Sequence, residues 1–258
     1  MLGAERRRLI LERLAATGLV EARQLVEQLG VSPDTVRRDL DDLAEDGLLE
    51  RVRGGAVQPA SVPLLASERR LLEVDEKRHL AGVAAALVRR GDVVMIDAGS
   101  TNVLIAAALP RDRALTVLTS SPAAAAALAG RTDVSLVVLG GKIDPTVEAV
   151  VESEAAVAIG RVTGSVAFVG TCSVDPALGL TALRYEEVAI KQAMVRSCQR
   201  IVAVATAAKR STAGPWHVAD VSDITDLVTT GPLEDTECGR YEAASVTVHC
   251  VGAPGGPL

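Results

Sequence analysis

The sequence predicts two unequal domains in tandem: a small three-helix domain closed by a β-hairpin, then a larger α/β domain with an open, mostly parallel sheet. Three observations carry this. Residues 4–46 hold three short amphipathic helix patterns separated by glycine turns. Residues 57–63, Val-Gln-Pro-Ala-Ser-Val-Pro, have the composition of a linker. Beyond them, short apolar runs alternate with helical stretches, which implies parallel strands covered on both faces. A chain of 258 residues accommodates one small and one medium domain. The expected boundaries are 1–57, a linker at 58–66, the α/β domain at 67–234 and a C-terminal extension at 235–258 with a flexible tail.

In the first domain, residues 4–16 put Ile10, Leu11 and Leu14 on one side of a helix, and Thr17-Gly18 stops it with a left-handed cap. Residues 21–29 place Ala22, Leu25, Val26 and Leu29 at i, i+3, i+4 and i+7, one apolar stripe. Gly30-Val31 is a tight turn. Ser32-Pro33-Asp34 then opens a third helix with a hydroxyl N-cap, a proline at the first helical position and an acid in the first turn. That helix runs to about Glu45 and closes at Asp46-Gly47. Residues 48–57, with Gly54-Gly55 at the tip, read as a β-hairpin.

The second domain opens with a helical stretch at 67–90. Strands are expected at 93–96, 115–118, 134–139, 166–169, 201–205, 227–229 and 245–251. Helices are expected between most of them, at 102–109, 122–129, 147–159 and 185–198. The sequence holds no internal repeat.

Composition narrows the function. The net charge is −6, and residues 1–58 carry nine Arg and no Lys against eleven Asp plus Glu. A uniformly basic surface is absent, so any nucleic-acid contact must come from local placement of arginines. Only four aromatics occur, Phe168, Tyr185, Trp216 and Tyr241, which argues against a stacking platform for single strands. Cys172, Cys198, Cys238 and Cys250 are widely spaced, and His79, His217 and His249 are scattered. Neither set has metal-ligand spacing, so no metal is expected, and the thiols suit a reducing compartment. No Gly-x-Ser-x-Gly elbow supports a nucleophilic triad. No apolar run approaches a membrane span or a signal segment, so a soluble cytoplasmic protein without membrane association is expected.

The turn Leu29-Gly30-Val31-Ser32 joins two short amphipathic helices, as a helix-turn-helix requires. In the third helix Val36, Leu40 and Leu43 share one face. At about 100° per residue Asp34, Thr35 and Arg38 point the other way, with Arg37 on the flank. The first turns of a recognition helix are the part that meets base edges and phosphates, and arginine binds both. Asp39, Asp41, Asp42, Glu45 and Asp46 crowd the far end, which should repel a duplex. Arg51 and Arg53 on the hairpin are placed to act as a wing. The same pattern also fits a small helical bundle with an ordinary arginine-bearing surface. The run Val31-Ser32-Pro33-Asp34-Thr35-Val36-Arg37-Arg38-Asp39-Leu40, followed by Gly47-Leu48-Leu49-Glu50-Arg51 and Gly54-Gly55-Ala56, closely resembles the DNA-binding region of the DeoR family of bacterial transcriptional regulators. The resemblance implies a winged helix-turn-helix domain in which Thr35, Arg37 and Arg38 read DNA, with Arg51 and Arg53 as backbone contacts. Ser32 and Asp34 at the helix start complete the expected DNA-binding set.

Three expected strand ends carry small polar loops: Asp97-Ala98-Gly99-Ser100-Thr101-Asn102, Thr119-Ser120-Ser121-Pro122 and Gly140-Gly141-Lys142. Glycine turns feeding helix N-termini expose backbone N–H groups to anions, and ligands of open α/β sheets bind at the carboxyl ends of strands. Glu187 and Lys191 stand i,i+4 on a helix, where a solvent-exposed pair is the simpler reading. This region also resembles the DeoR family, in Glu76-Lys77-Arg78, Asp97-Ala98-Gly99-Ser100-Thr101, Leu139-Gly140-Gly141, Ala167-Phe168-Val169-Gly170, Gly179-Leu180-Thr181, Glu187 with Lys191, and Lys209. The resemblance implies a sensor domain related in fold to ribose-5-phosphate isomerase and CoA transferases, responding to phosphorylated sugars or related metabolites. Asp97, Gly99, Ser100, Thr101, Ser121, Gly140, Gly141, Lys191 and Lys209 are the expected effector-binding residues. The chain departs from the family pattern at Ser120, Ser165, Glu152-Ser153-Glu154 and Thr206-Ala207-Ala208-Lys209.

The expectation is a repressor of carbohydrate-metabolism genes without cofactor or catalytic residues. Its partners are an operator in double-stranded DNA, a phosphorylated effector and further copies of itself in a dimer or tetramer. The alternative is an isomerase-like enzyme with an N-terminal appendage, which needs a positioned base; Asp97 and Glu187 qualify, while Ser165 and Thr206 stand where acids would serve. Trp216 is open to three readings: a lid on the pocket, core packing or a subunit contact.

Overall fold

The computed structural model describes residues 3–17, 19–52, 54–59 and 66–252, with backbone alone at 15–17, 19, 58, 59, 67 and 68. Gly18, Arg53, most of the expected linker and the tail 253–258 lie outside the described residues.

The small domain is built from α1 (Gly3–Thr17), β1 (Leu19–Glu21), α2 (Ala22–Leu29), α3 (Pro33–Glu45), β2 (Glu50–Val52) and β3 (Gly55–Pro59). Ile10, Leu14, Leu25, Val36, Leu40, Leu43 and Leu49 form its core. Gly30 ends α2 in the left-handed conformation, φ 63°, and its N–H donates to the Val26 carbonyl at 3.1 Å. Ser32 caps α3 by accepting the Thr35 N–H at 3.2 Å. The strand β1 was not legible in three residues. It pairs antiparallel with β3, which also forms the hairpin with β2. Gly55 is required there, because a Cβ would lie 2.0 Å from the Val20 carbonyl oxygen.

The second domain begins with α4 (Ala66–Leu71) and α5 (Val74–Ala86), so the single helix expected at 67–90 is interrupted. The break falls at Glu73, whose φ is 50°. Then follow β4 (Val93–Ile96), α6 (Ser100–Ala108), β5 (Leu115–Thr119), α7 (Pro122–Leu128), β6 (Val134–Val138), the short β7 (Ile143–Asp144) and β8 (Ala149–Val150), α8 (Ser153–Ile159) and β9 (Gly164–Gly170). The helix expected at 147–159 is therefore confined to its second half. The rest comprises β10 (Ser173–Asp175), β11 (Gly179–Ala182), α9 (Val188–Ser197), β12 (Cys198–Ala205), β13 (Thr212–Ala213), β14 (Trp216–Ala219), β15 (Asp226–Thr230), α10 (Asp235–Ala243) and β16 (Thr247–Val251).

Seven strands, all parallel, form one sheet in the order β16-β15-β12-β9-β4-β5-β6. Alternate residues feed two cores. Val94, Ile96, Val166, Phe168, Val202 and Val204 pack against α5, α6 and α7. Met95, Ala167, Val169, Ile201, Ala203 and Ala205 pack against α8, α9 and the β10-β11-β14 layer. The segment after residue 234 is part of this body: β16 is the edge strand beside β15, and Tyr241 of α10 is fully buried. The linker also begins later than expected. Residues 58 and 59 belong to β3 and pair in parallel with Thr212 and Ala213 of β13. Wing strand and sensor therefore share one ladder.

Candidate functional site

The face of α3 expected to read DNA is open. Ser32, Asp34, Arg37 and Arg38 are exposed and Thr35 is half-buried. Ser32 and Thr35 share a hydroxyl contact of 2.8 Å, and Arg37 lies 3.5 Å from Asp34. The Arg38 side chain has no ion-pair or hydrogen-bond partner among the described residues. Arg51 is exposed and pairs with Asp41 at 3.2 Å; Arg53 lies outside the described residues. The acids at the far end of α3 correct the sequence reading. Asp39 is not a surface charge. It is 4% exposed and held in a two-pronged pair by Arg6 of α1, with one bond at 2.9 Å. Asp42 is met by Arg7 at 3.0 Å. The arginines of α1 and the hairpin thus offset much of this charge and tie the recognition helix to its neighbours.

The order of the large sheet reverses between β4 and β9: β4, β5 and β6 run outward one way, and β9, β12, β15 and β16 the other. At such a switch point the flanking loops splay apart and leave a crevice beyond the carboxyl ends of the strands. A cavity of about 240 Å³ lies there. One wall is Gly99, Ser100, Thr101 and Asn102 at the start of α6; others come from Gly170-Thr171-Cys172 after β9 and from Thr206, Ala208 and Lys209 after β12. Arg69, Leu72, Glu73 and Lys77, from α4, the break and α5, close it over. Gly99 precedes α6 with φ 126°, a conformation suited to glycine, and no side chain caps the helix. Its first N–H groups are consequently presented to the cavity.

Three of the chain's four lysines line this space. Lys191 is 2% exposed; its Nζ donates to Asp97 Oδ2 at 2.5 Å and to the Gly170 carbonyl at 2.9 Å, with Glu187 at 3.7 Å. Burial opposes its charge, but the Asp97 and Glu187 carboxylates outweigh burial and hold the ammonium above its ordinary value. Asp97 also accepts the Ala98 and Gly170 N–H groups at 2.7 and 2.8 Å. Lys77 is buried and donates to the Arg69 and Leu72 carbonyls at 2.9 and 2.7 Å, at the end of α4. Burial, with Arg69 adding repulsion, lowers its pKa although Glu73 and Glu76 oppose this. Lys209 donates to the Thr171 carbonyl at 2.9 Å. Its pKa is also lowered, by burial first and then by the Lys77 and Arg69 charges.

Of the expected effector residues, Gly99, Ser100, Thr101, Lys191 and Lys209 line the cavity together. Asp97 lies behind it, occupied by Lys191 and two backbone amides. Ser121 caps α7 by accepting the Ala124 N–H at 3.3 Å and borders a small adjoining crevice with Gly99 and Ser100. Gly140 and Gly141 are exposed and are not among the lining residues. The Glu187–Lys191 pair is buried, so the solvent-exposed reading is wrong. Ser165 stands at the opposite, amino-terminal end of β9, accepting the Val93 N–H at 3.0 Å, and takes no part. Sequence reasoning missed Arg69, Glu73 and Thr171 as lining residues; Lys77 figures in it only within the Glu76-Lys77-Arg78 resemblance, and Thr206 only as a departure from the family pattern where an acid would serve. Trp216 is 40% exposed and meets Tyr185 edge-on at 5.0 Å. It is neither packed in the core nor among the residues lining the cavity.

Residues 6–62 match the DeoR-like helix-turn-helix domain, and residues 72–230 match the DeoR C terminal sensor domain. The chain is 32% identical to the HTH-type transcriptional regulator GlpR of Haloferax volcanii, over 96% of this chain and 98% of that one. It is 27% identical to the glycerol-3-phosphate regulon repressor of Escherichia coli, covering 86% and 89% of the two chains. It is 29% identical to the HTH-type transcriptional repressor GlcR of Bacillus subtilis, covering 85% of each. Among solved structures, ribose 5 phosphate isomerase A from Neisseria gonorrhoeae superposes with a TM-score of 0.39 at 19% identity, over 54% of each chain. Among the described residues, no helix is long and apolar enough to cross a membrane.

Proposed function

We propose, for a chain that belongs to the DeoR family of DNA-binding transcriptional regulators, that it represses carbohydrate-metabolism genes and leaves its operator when a phosphorylated small molecule fills the cavity between β4 and β9. The chain is a regulator and not an enzyme, and relatives carry repressor names. The observation that carries the effector reading is the gathering of Lys77, Lys209 and Arg69 around the uncapped start of α6. Their mutual repulsion is relieved by an anion, and backbone N–H groups at a helix start complete a phosphate cradle. Ser32, Asp34, Thr35, Arg37 and Arg38 are the proposed DNA-reading set, with Arg51 and Arg53 on the wing. A second copy reads the second half-site that a symmetric operator presents. Titrating sugar phosphates into the protein bound to its own upstream DNA is expected to release the duplex in a gel-shift assay. Release by unphosphorylated sugars alone would reject the effector assignment.

The ligand acts only through unequal affinity for two states of the protein. The loop at 206–213 links the cavity to the wing strand, to which it is joined by strand pairing. It carries Thr206 and Lys209 at the cavity and Thr212-Ala213 on the wing strand. Arg240 of α10 adds a 3.0 Å pair to Glu21 at the start of α2. Both partners are half-exposed, so Glu21→Arg is expected to change the effector's influence on DNA affinity by up to about fivefold, the equivalent of up to about 1 kcal/mol. Adding Arg240→Glu should restore it. Equal coupling in wild type, single and double variants, measured by anisotropy with and without effector, would remove this contact from the route.

A further inference from the structure

We propose that α4 is a lid on the cavity, hinged at Glu73 and drawn shut when Arg69 meets the anionic group of the effector. This rests on the phosphorylated-effector reading above and adds to it the element that moves. Most of the lining residues stand on the sheet ends and the helices that cover the sheet. Arg69, Leu72 and Glu73 instead arrive on α4 and the joint that follows it. This wall is lightly anchored. Among the described side chains of α4 only Ala66 is buried, while Leu71 and Leu72 are 81% and 47% exposed. Displacing α4 therefore forfeits little apolar burial, the property of segments that open locally.

The ties that hold α4 are polar. The Ala66 N–H donates to the Thr146 carbonyl at 3.0 Å, and Arg70 meets Glu148 in a half-exposed ion pair, a kind that contributes little. Lys77, reaching across from α5, donates to the Arg69 and Leu72 carbonyls. The joint itself is strained. Glu73 has φ 50°, a left-handed conformation that L side chains rarely adopt, and such positions recur at ligand clamps and switches. Arg69 provides the pull. It lines the cavity, and its guanidinium has no hydrogen-bond or ion-pair partner among the described residues. Its charge opposes those of Lys77 and Lys209. An anion on the first N–H groups of α6 gives Arg69 the counter-charge it lacks, and a guanidinium–phosphate contact then ties α4 to α6. Lys77 keeps its third N–H for the same anion. Without the anion, like charges push the lid outward; with it, they hold the lid down.

Hydrogen–deuterium exchange of the full chain, read by mass spectrometry, is the test. The probes are inorganic phosphate, fructose 6-phosphate and glucose 6-phosphate, each at a saturating level set by calorimetry. Before a probe is added, the amides of residues 66–72 are expected to exchange much faster than those of β9. A probe that binds is expected to slow them about tenfold, the value of one charge-assisted bond, together with the amides of residues 100–103. Arg69→Gln should abolish the slowing at 66–72 and leave that at 100–103. Arg69→Lys, which keeps the charge but not the fork, should retain only part of the slowing at 66–72. Should Arg69→Gln bind no probe, Arg69→Lys decides. Slowing at 100–103 alone, slowing at 66–72 that both variants keep in full, or amides at 66–72 as protected as β9 without a probe overturns the lid and leaves the phosphorylated-effector reading standing. Binding of the wild-type chain by none of the probes overturns both.

Discussion

Replacing Lys191 by Met is expected to destabilise the α/β domain by about 3–5 kcal/mol, the range found when one partner of a buried ion pair is removed. The reason is the company that Lys191 keeps. Its ammonium, 2% exposed, bonds Asp97 and the Gly170 carbonyl, with Glu187 nearby. Without it two buried carboxylates are left with no other ion-pair partner among the described residues. The backbone approaches the pair closely: a Cβ on Gly170 would lie 2.6 Å from the Ala98 carbonyl oxygen and 2.9 Å from Lys191 Nζ. Thermal or denaturant unfolding checks the loss. Removing the orphaned charge as well, with Asp97→Asn, should recover part of it, since the penalty belongs to the uncompensated carboxylate more than to the lost bond. A Lys191→Met protein as stable as wild type would show that the three groups are not coupled. The expectation also fixes how ligand-binding losses at this residue are to be read. Lys191 holds β4, β9 and α9 in register, so a lost ligand response in its variants needs an unfolding control.

Arg38→Ala should lower operator affinity by about 1–3 kcal/mol, roughly tenfold to a hundredfold, with no loss of stability. Arg38 is exposed on the open face of α3, whereas the helix is fixed by Val36, Leu40 and Leu43 beneath and by Arg6 on Asp39. Removing it therefore changes the surface and not the scaffold. The net charge of −6 offers no general attraction for DNA, so a single well-placed arginine carries a large share of the binding. Fluorescence anisotropy over a salt series separates two roles. A base contact lowers discrimination between operator and unrelated duplex; a phosphate contact weakens both and reduces the salt slope by about one. Unchanged affinity for the operator at moderate salt would remove Arg38 from the interface.

Much of this was legible because the signals are local. The five inner sheet strands, β4, β5, β9, β12 and β15, are short apolar runs that are largely buried, and a run of that kind needs no knowledge of its neighbours; the edge strands β6 and β16 are more open. Ser32-Pro33-Asp34 and Gly30 mark their helix ends through contacts within four residues. The strands that escaped detection, β1, β7, β8, β10, β11, β13 and β14, span two to four residues, too few for a period to register. The cavity divided along the same line. Gly99-Ser100-Thr101 announced itself as a turn into a helix. Arg69, Glu73 and Thr171 did not, because they reach the same space from elements far apart in the chain. Asp39 looked like one more acid on a charged helix until Arg6, 33 positions away, was found against it.

The amino-acid sequence by itself determined the two domains, the seven-strand alternation, the recognition helix and the family. All of these depend on residue type at short spacing, where backbone geometry translates pattern directly into position. Only the tertiary structure decided which cations share the cavity, that Lys191 is a buried strut, that Arg69 has no partner among the described residues, and that the wing strand is tied to the sensor through β13. Those outcomes depend on burial and on partners brought together by strand order, and strand order is set by how two helical layers cover a sheet rather than by any stretch of residues read alone.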